Sequence, residues 1–222
     1  MSENDTPART SHRDIHSKSA QAVSHSASAV RPYELHDEPS WLRCRVLAFL
    51  DTCYYDDVWQ ERPADPSIQL VAAVPANNGE GGDEIVGILD VEVDGELATI
   101  DTIAVHPDHR REGIADALLE VGLRRLPTNV SLLDAWTRED EPAHAWYRAN
   151  GFSESDHYLH VYKGWRESAD GWTAPPPLGC PVMAFCHADL ADEAEARARF
   201  ARVYVCRRFS RPVVPAAPTL QG

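Results

Sequence analysis

The sequence predicts an α+β (mixed α/β) chain built on one central sheet. Strand-like and helix-like stretches mix without strict alternation, which favours a single sheet with helices packed on it. A hydrophobic share of 43% over 222 residues suffices for a sizeable core. The stretch "AVHPDHRREGIADALLEVG", Ala104 to Gly122, runs from a strand end through a proline, two arginines and a glycine into a long apolar-periodic helix.

The elements follow in order. Residues 1–30 are rich in Ser, Ala and His, lack periodicity and read as a disordered tail. The main unit is expected over 31–164. It opens on "VRPYEL", a short strand, and a helix with Trp41, Leu42, Val46, Phe49, Leu50 and Cys53 at helical spacing. Pro63 and Pro66 close that region. Residues 68–75, "IQLVAAVP", read as a strand, and 76–83 as an exposed Gly/Asn turn. Residues 84–105 form a hairpin, with Asp94 and Gly95 expected at the positive-φ positions of its turn. From Ala115, residues Leu118, Leu119, Gly122, Leu123 and Leu126 make one apolar helical stripe. A strand is expected at 130–137, a short helix at 140–152 and a strand at 158–163. Pro142 lies in the first turn of that helix and Gly151 just beyond its end. Residues 165–222 read as an extension: a proline-rich loop, "PVMAF", an Ala/Glu/Arg helix at 188–201 and "RVYVCRRF", a strand expected to return and pair with 158–163. The extension also offers a surface for a homodimer.

Composition excludes several functions. A formal charge of −14 disfavours nucleic acid as a partner, since phosphate binding needs a basic face. Lys18 and Lys163 are the only lysines. Many carboxylates with so little lysine resemble the proteins of salt-loving archaea, although a high-GC codon bias also replaces Lys by Arg. No apolar run approaches the roughly 20 residues of a membrane span. The first thirty residues have no apolar centre or small-residue cleavage site, so no secretory signal is expected. Five scattered cysteines without a C-x-x-C pair argue against a disulfide framework and a zinc site. No metal and a cytoplasmic location are expected.

The strand–turn–helix at 104–122 has a chemistry of its own. A helix N-terminus presents unpaired N–H groups and partial positive charge, and glycine lets backbone approach an anion closely. Arg110 and Arg111 add charge. Residues Arg111 to Asp116 therefore form a candidate pyrophosphate cradle made mainly of amides. The stretch is neither a Walker A loop nor a G-x-G-x-x-G fingerprint. The plain alternative is a connection with exposed arginines.

"TIDTIAVHPDHRREGIADALL" closely resembles the acyl-CoA-binding signature of the GNAT superfamily of N-acetyltransferases. Ile103-Ala104-Val105, Pro107, Arg110, Gly113 and Ala115 match its first block. Ala143, Trp146, Tyr147, Gly151 and Phe152 match a second, in the right order and with a strand between. The resemblance covers roughly 31–163. It implies a splayed, mixed, mostly antiparallel central sheet flanked by helices. It also implies acetyl-CoA as acyl donor, a pantetheine arm along the strand ending Ile103-Ala104-Val105, and a pyrophosphate on the amides of Arg111, Glu112, Gly113, Ile114, Ala115 and Asp116. The reaction would be direct transfer of an acyl group, most often acetyl, to a primary amine.

Two residues depart from the pattern. Asp140 stands where the family usually has Asn, and a carboxylate accepts a hydrogen bond but cannot donate one unless protonated. Glu112 puts an anion inside the phosphate turn, so its side chain is expected to face solvent. Tyr147 resembles the family's general acid, sharing a helical face with Ala143 and Trp146. It also suits a plain packing role. Asp101, on the strand before the motif, is the candidate base, placed by period two on the face of Ile103 and Val105. It equally suits a structural hydrogen bond. A non-catalytic acyl-CoA-binding module of the same fold is the alternative function. The acceptor, small molecule or protein amine, is not specified by any motif.

Overall fold

The structure, a computed structural model, describes residues 28–62, 66–76 and 83–213. The expected tail up to residue 27, most of the expected Gly/Asn turn, and Pro63 lie outside the described residues. Ala29 and Val30, expected within the tail, are already in a strand.

The strands are β1 (Ala29–Pro32), β2 (Ile68–Pro75), β3 (Asp83–Asp94), β4 (Leu97–Val105), β5 (Leu132–Thr137), β6 (Ser153–Lys163), β7 (Ala184–Ala188) and β8 (Arg202–Pro212). The helices are α1 (Glu38–Phe49), α2 (Ile114–Arg125), α3 (Glu141–Ala149) and α4 (Glu193–Arg199). One sheet holds the strands in the order β1-β2-β3-β4-β5-β8-β6-β7. Every neighbouring pair is antiparallel except β4 with β5. The class is thus the α+β, mostly antiparallel sheet that the sequence predicts.

Three local differences have physical reasons. The helical pattern expected to run to Cys53 stops at Phe49, because the Thr52 hydroxyl and amide both bond the Phe49 carbonyl. In the β3–β4 turn only Gly95 has positive φ, at 60°; Asp94 does not and ends β3. Glycine thus takes the first central position, as in a type II′ turn, so no second left-handed residue is needed. The returning strand β8 pairs with β6 as expected, but it also pairs with β5 and lies between the two. Residues 202–212 are therefore interior to the sheet, while β7 takes its edge.

The core has two sides. Along β2 and β3 successive residues alternate between them: Leu70 and Leu89 pack toward α2 and α3, Val71 and Ile88 toward α1. Trp41, Cys44 and Ala48 fill the α1 side, and Leu118, Leu119 and Tyr147 the other. Helix α2 seats closely because Gly87 on β3 has no side chain: a Cβ there would meet Ile114 Cγ2 at 2.5 Å.

The parallel pair is short. It joins Leu97–Ile100 to Leu132–Ala135 and stops. The Thr99 hydroxyl bonds the buried Asp134 carboxylate at 2.6 Å, fastening the two strands just before they part. Beyond that point β4 carries a bulge: Asp90 pairs with Thr102 and Val91 with Ile100, leaving Asp101 as the extra residue. A bulge bends its strand and strengthens the twist. From Asp101 to Val105, β4 keeps β3 on one edge and, among the described residues, has no strand on the other.

Candidate active site

The gap between β4 and β5 is the floor of a cleft of about 440 Å³. It has two walls. One comprises the end of β4, the turn into α2, and α3. The other comprises the end of α1 with the segment that follows it, lining the cleft with Ala48, Phe49, Asp51, Thr52, Tyr54, Asp57 and Trp59.

The first wall is mostly backbone. Gly113 is the N-cap of α2 at φ 78° and Arg111, a non-glycine, is also left-handed at φ 69°. Left-handed residues either side of Glu112 turn successive amides inward, the geometry of an anion-binding nest. The amides of Gly113, Ile114, Ala115 and Asp116 have no hydrogen-bond acceptor among the described residues. A Cβ built on Gly113 meets nothing within 4 Å, so the space before the helix is open. With the free edge of Asp101–Val105 beside it, this wall fits an extended chain ending in a pyrophosphate.

The predicted residues take distinct places here. Ile103, Ala104, Val105 and Ala115 line the cleft. Ile114 is buried against β3, leaving only its amide for a ligand. Arg110 lines the cleft, but its guanidinium donates to the Ala48 carbonyl at 2.8 Å and so ties the turn to α1. The Glu112 carboxylate, expected to face solvent, is about a third exposed and meets His109 Nδ1 at 3.4 Å. The Asp116 carboxylate accepts from Trp146 Nε1 at 2.7 Å and Asn150 Nδ2 at 3.1 Å, tying α2 to α3. Asp140 caps α3 by accepting from the Ala143 amide, a role that needs only an acceptor and explains why Asp suits this position.

Tyr147 is 5% exposed, with its ring stacked on Phe209 at 5.3 Å and edge-on to Phe152. Its hydroxyl has no hydrogen-bond partner among the described residues, and the residue lines the cleft. Burial, and then the nearby Tyr54 and Asp140, push its phenol above the ordinary value, so it keeps its proton through the neutral range. Asp101 is exposed, lines the cleft and accepts from the Thr102 hydroxyl. Because it is the bulge residue, period two does not carry across it. Ile100 and Ile103 both pack toward the α2 side, so the expected shared face of Asp101 with Ile103 and Val105 does not follow from spacing.

The second wall is made of side chains. Arg45 on α1 lies 3.3 Å from the Trp59 ring centre, donates to the Asp57 carbonyl at 2.6 Å and pairs with its carboxylate at 2.8 Å. Trp59 in turn stacks on Trp41. Tyr54 accepts a hydrogen bond from the Arg138 amide at 3.0 Å, and burial pushes its phenol up to about 12. The sequence reading missed Arg45, Tyr54, Asp57, Trp59, Trp136 and Thr137 in this site. Tyr54 finds its partner 84 positions away, in Arg138, and the contacts among Arg45, Asp57 and Trp59 form only where the chain folds back after α1, so no local pattern signals them. Among the described residues no group of three or more His, Cys, Asp or Glu is placed to hold a metal ion. No helix among them is long and apolar enough to cross a membrane.

Residues 71–154 match the family model described as an acetyltransferase (GNAT) domain. This stretch is a GNAT acetyltransferase domain. Three solved structures have similar folds. The ribosomal-protein-S18-alanine N-acetyltransferase of Escherichia coli is 18% identical, with a TM-score of 0.52 over 88% of this chain and 99% of that one. NAA60 of Arabidopsis thaliana, in complex with a bisubstrate analogue, is 13% identical, with a TM-score of 0.54 over 85% and 99%. The yncA protein of Salmonella typhimurium, with its cofactor acetyl-CoA, is 15% identical, with a TM-score of 0.51 over 88% and 99%. No curated protein matches the chain by sequence. The GNAT domain spans β4, the turn, α2, β5 and α3, which together carry the open strand edge, the amide nest and Tyr147. Its reaction is acyl transfer from acyl-CoA to an amine.

Proposed function

We propose that this cleft transfers an acetyl group from acetyl-CoA to a primary amine, with Tyr147 as general acid and Asp101 as the group that receives the amine's proton. The observation that carries this reading is the end of the β4–β5 ladder at Ile100 and Ala135, beside a turn whose amides at 113–116 have no acceptor among the described residues. The free edge of Asp101–Val105 would hold the pantetheine arm as an added strand. The amides of 113–116 would hold the pyrophosphate, and the open space before Gly113 would admit it.

The amine enters from the wall formed by Phe49, Tyr54 and Trp59 and attacks the thioester carbonyl. The C–S bond breaks, and Tyr147 donates its proton to the departing thiolate. Asp101 takes a proton from the ammonium through water, which suits its exposed carboxylate at the bulge. A phenol is a weak acid for this step and acts only when well positioned. Tyr147 stacked on Phe209, with Phe152 edge-on to it, has that positioning.

The test is free-thiol release from acetyl-CoA in the presence of three probes: spermidine, a peptide with a free N-terminal alanine, and a blocked peptide with one free lysine. Release with at least one probe, greatly reduced in Tyr147→Phe, is expected. Tight acetyl-CoA binding with no release from any probe would replace this reading by the non-catalytic acyl-CoA-binding module.

A further inference from the structure

Arg138, the residue just after β5, is 8% exposed. Its guanidinium is always charged, and a buried charge is costly unless an opposite charge or good hydrogen bonds compensate it. Among the described residues it meets no carboxylate within ion-pair distance. Its partners are neutral: Nε donates to His160 Nδ1 at 3.0 Å, Nη1 to the Cys53 carbonyl at 2.7 Å, and Nη2 to the Tyr162 hydroxyl. The guanidinium also lies 4.1 Å from the centre of the Tyr54 ring. Its own amide donates to the Tyr54 hydroxyl, and its carbonyl accepts from His144 on α3 at 2.8 Å.

These contacts converge on one object. Cys53 and Tyr54 belong to the segment that follows α1 and lines the amine side of the cleft. His160 and Tyr162 belong to β6, and His144 to the helix that carries Tyr147. Arg138 does not itself line the cleft; it lies behind it. Arg202 on β8 adds a second fastening on the same segment, with Nη2 on Asp56 at 2.6 Å and on the Cys53 carbonyl at 3.4 Å. That pair is partly exposed and has its own carboxylate, so it does not raise the question that Arg138 raises.

We infer that Arg138 is the positioning residue of the amine-side wall, fixing Cys53 and Tyr54 against the end of β5 so that Tyr54 faces the cleft opposite Tyr147. An uncompensated cation is tolerated because its planar fork engages a carbonyl, an imidazole and a phenol at once, while its charge lies against an aromatic ring. No apolar side chain makes that set of bonds, and lysine lacks the planar fork. The inference rests on the proposed acyl transfer for what the wall contacts, but the fastening is a property of the fold and is testable apart from it.

The experiment compares the full-length wild type with Arg138→Lys and Arg138→Gln. Amide hydrogen exchange of peptides covering 50–57 should be at least tenfold faster in Arg138→Gln and intermediate in Arg138→Lys. Peptides covering 107–118 should be unchanged. Acetyl-CoA affinity by calorimetry should stay within twofold of wild type. With whichever of spermidine, the alanine peptide or the lysine peptide the wild type acetylates, KM for that amine should rise about tenfold in Arg138→Gln while KM for acetyl-CoA holds. Arg138→Lys should recover part of the loss. Unchanged exchange at 50–57 would overturn the inference. So would faster exchange with an unchanged amine KM, since the residue would then be merely structural. Loss of acetyl-CoA binding in the wild type would instead overturn the proposed reaction and leave the exchange result to judge the fastening.

Discussion

The two walls of the cleft are built on different principles. The donor wall is backbone: a strand edge left free where β4 and β5 part, and four amides at the start of α2 that have no acceptor among the described residues. The amine wall is side chain: Arg45 on Trp59, Tyr54 on Arg138, Asp56 on Arg202, each contact joining residues far apart in the chain or on different elements. A site made of backbone constrains a short run of residues, because turn geometry and close approach demand particular types there. A site made of side chains spreads its constraint over the whole fold.

That contrast yields its sharpest test at Gly113. The Gly113→Glu substitution forces an L-residue to φ 78° and puts a carboxylate at the mouth of the amide nest. Since a Cβ at this position meets nothing within 4 Å, the variant does not collide with the protein itself. Acetyl-CoA affinity should fall more than 100-fold, by calorimetry, with the far-ultraviolet circular dichroism preserved. Binding retained within a few-fold of wild type would mean that the nest is not where the anion sits.

Tyr147→Phe probes where the walls meet. The ring keeps its stacking on Phe209 and its edge-on contact with Phe152, and the lost hydroxyl has no partner to abandon among the described residues. Thermal stability and acetyl-CoA binding should hardly change, while kcat falls on the order of 100-fold, the usual scale for a lost general acid. Equal kcat in the two proteins would leave Tyr147 a packing residue.

The same contrast explains what the sequence made legible. Arg110, Gly113 and Ala115 at fixed spacing, with Tyr147 and Phe152 in a later block, pointed to the donor wall and to the fold class. Gly113 stands out because few residues accept its backbone angle. Three features were hidden. The bulge at Asp101 arises from pairing with β3 and leaves no mark in the alternation of β4, whose buried residues stay at even numbers on both sides of it. The interior place of β8 depends on a strand from the far end of the chain finding the gap between β5 and β6. Tyr54 and Arg138 are 84 positions apart, and neither carries a local signal.

Tyr54→Phe isolates the amine wall. It removes the acceptor of the Arg138 amide, which is then left without its partner inside the protein. An unsatisfied buried N–H costs about 1–3 kcal/mol, and urea unfolding should report a loss in that range. Acetyl-CoA affinity should stay within twofold, because the donor wall is untouched. A matching fall in acetyl-CoA affinity would show that the two walls are energetically one unit.

The smallest effect comes from two buried titrating groups, His160 and Asp90, which act in opposite directions. His160 is held down at about 4, from 6.5, by burial and then by the Arg138 and His187 charges. Between pH 6.5 and 4 the unfolded chain takes up a proton there that the folded chain refuses, so stability falls as pH falls. The loss is at most about 2 kcal/mol once solvent screening is allowed for. Asp90 is pushed up to about 6, from 3.8, mainly by burial and despite its Arg62 partner. Between pH 6 and 4 the folded chain takes up a proton there that the unfolded chain does not, so stability rises as pH falls. The two slopes oppose each other in nearly the same window. His160→Gln should therefore unmask a rise in stability on acidification from pH 6.5 to 4.5, and Asp90→Asn a fall, read from urea unfolding at three pH values. Asp90→Asn also leaves Arg62 without its carboxylate, which lowers its stability at every pH but does not alter the sign of the slope. Parallel pH profiles in all three proteins would mean that neither group's environment in the fold is as drawn. The Arg138 cluster would then lose its neutral imidazole acceptor.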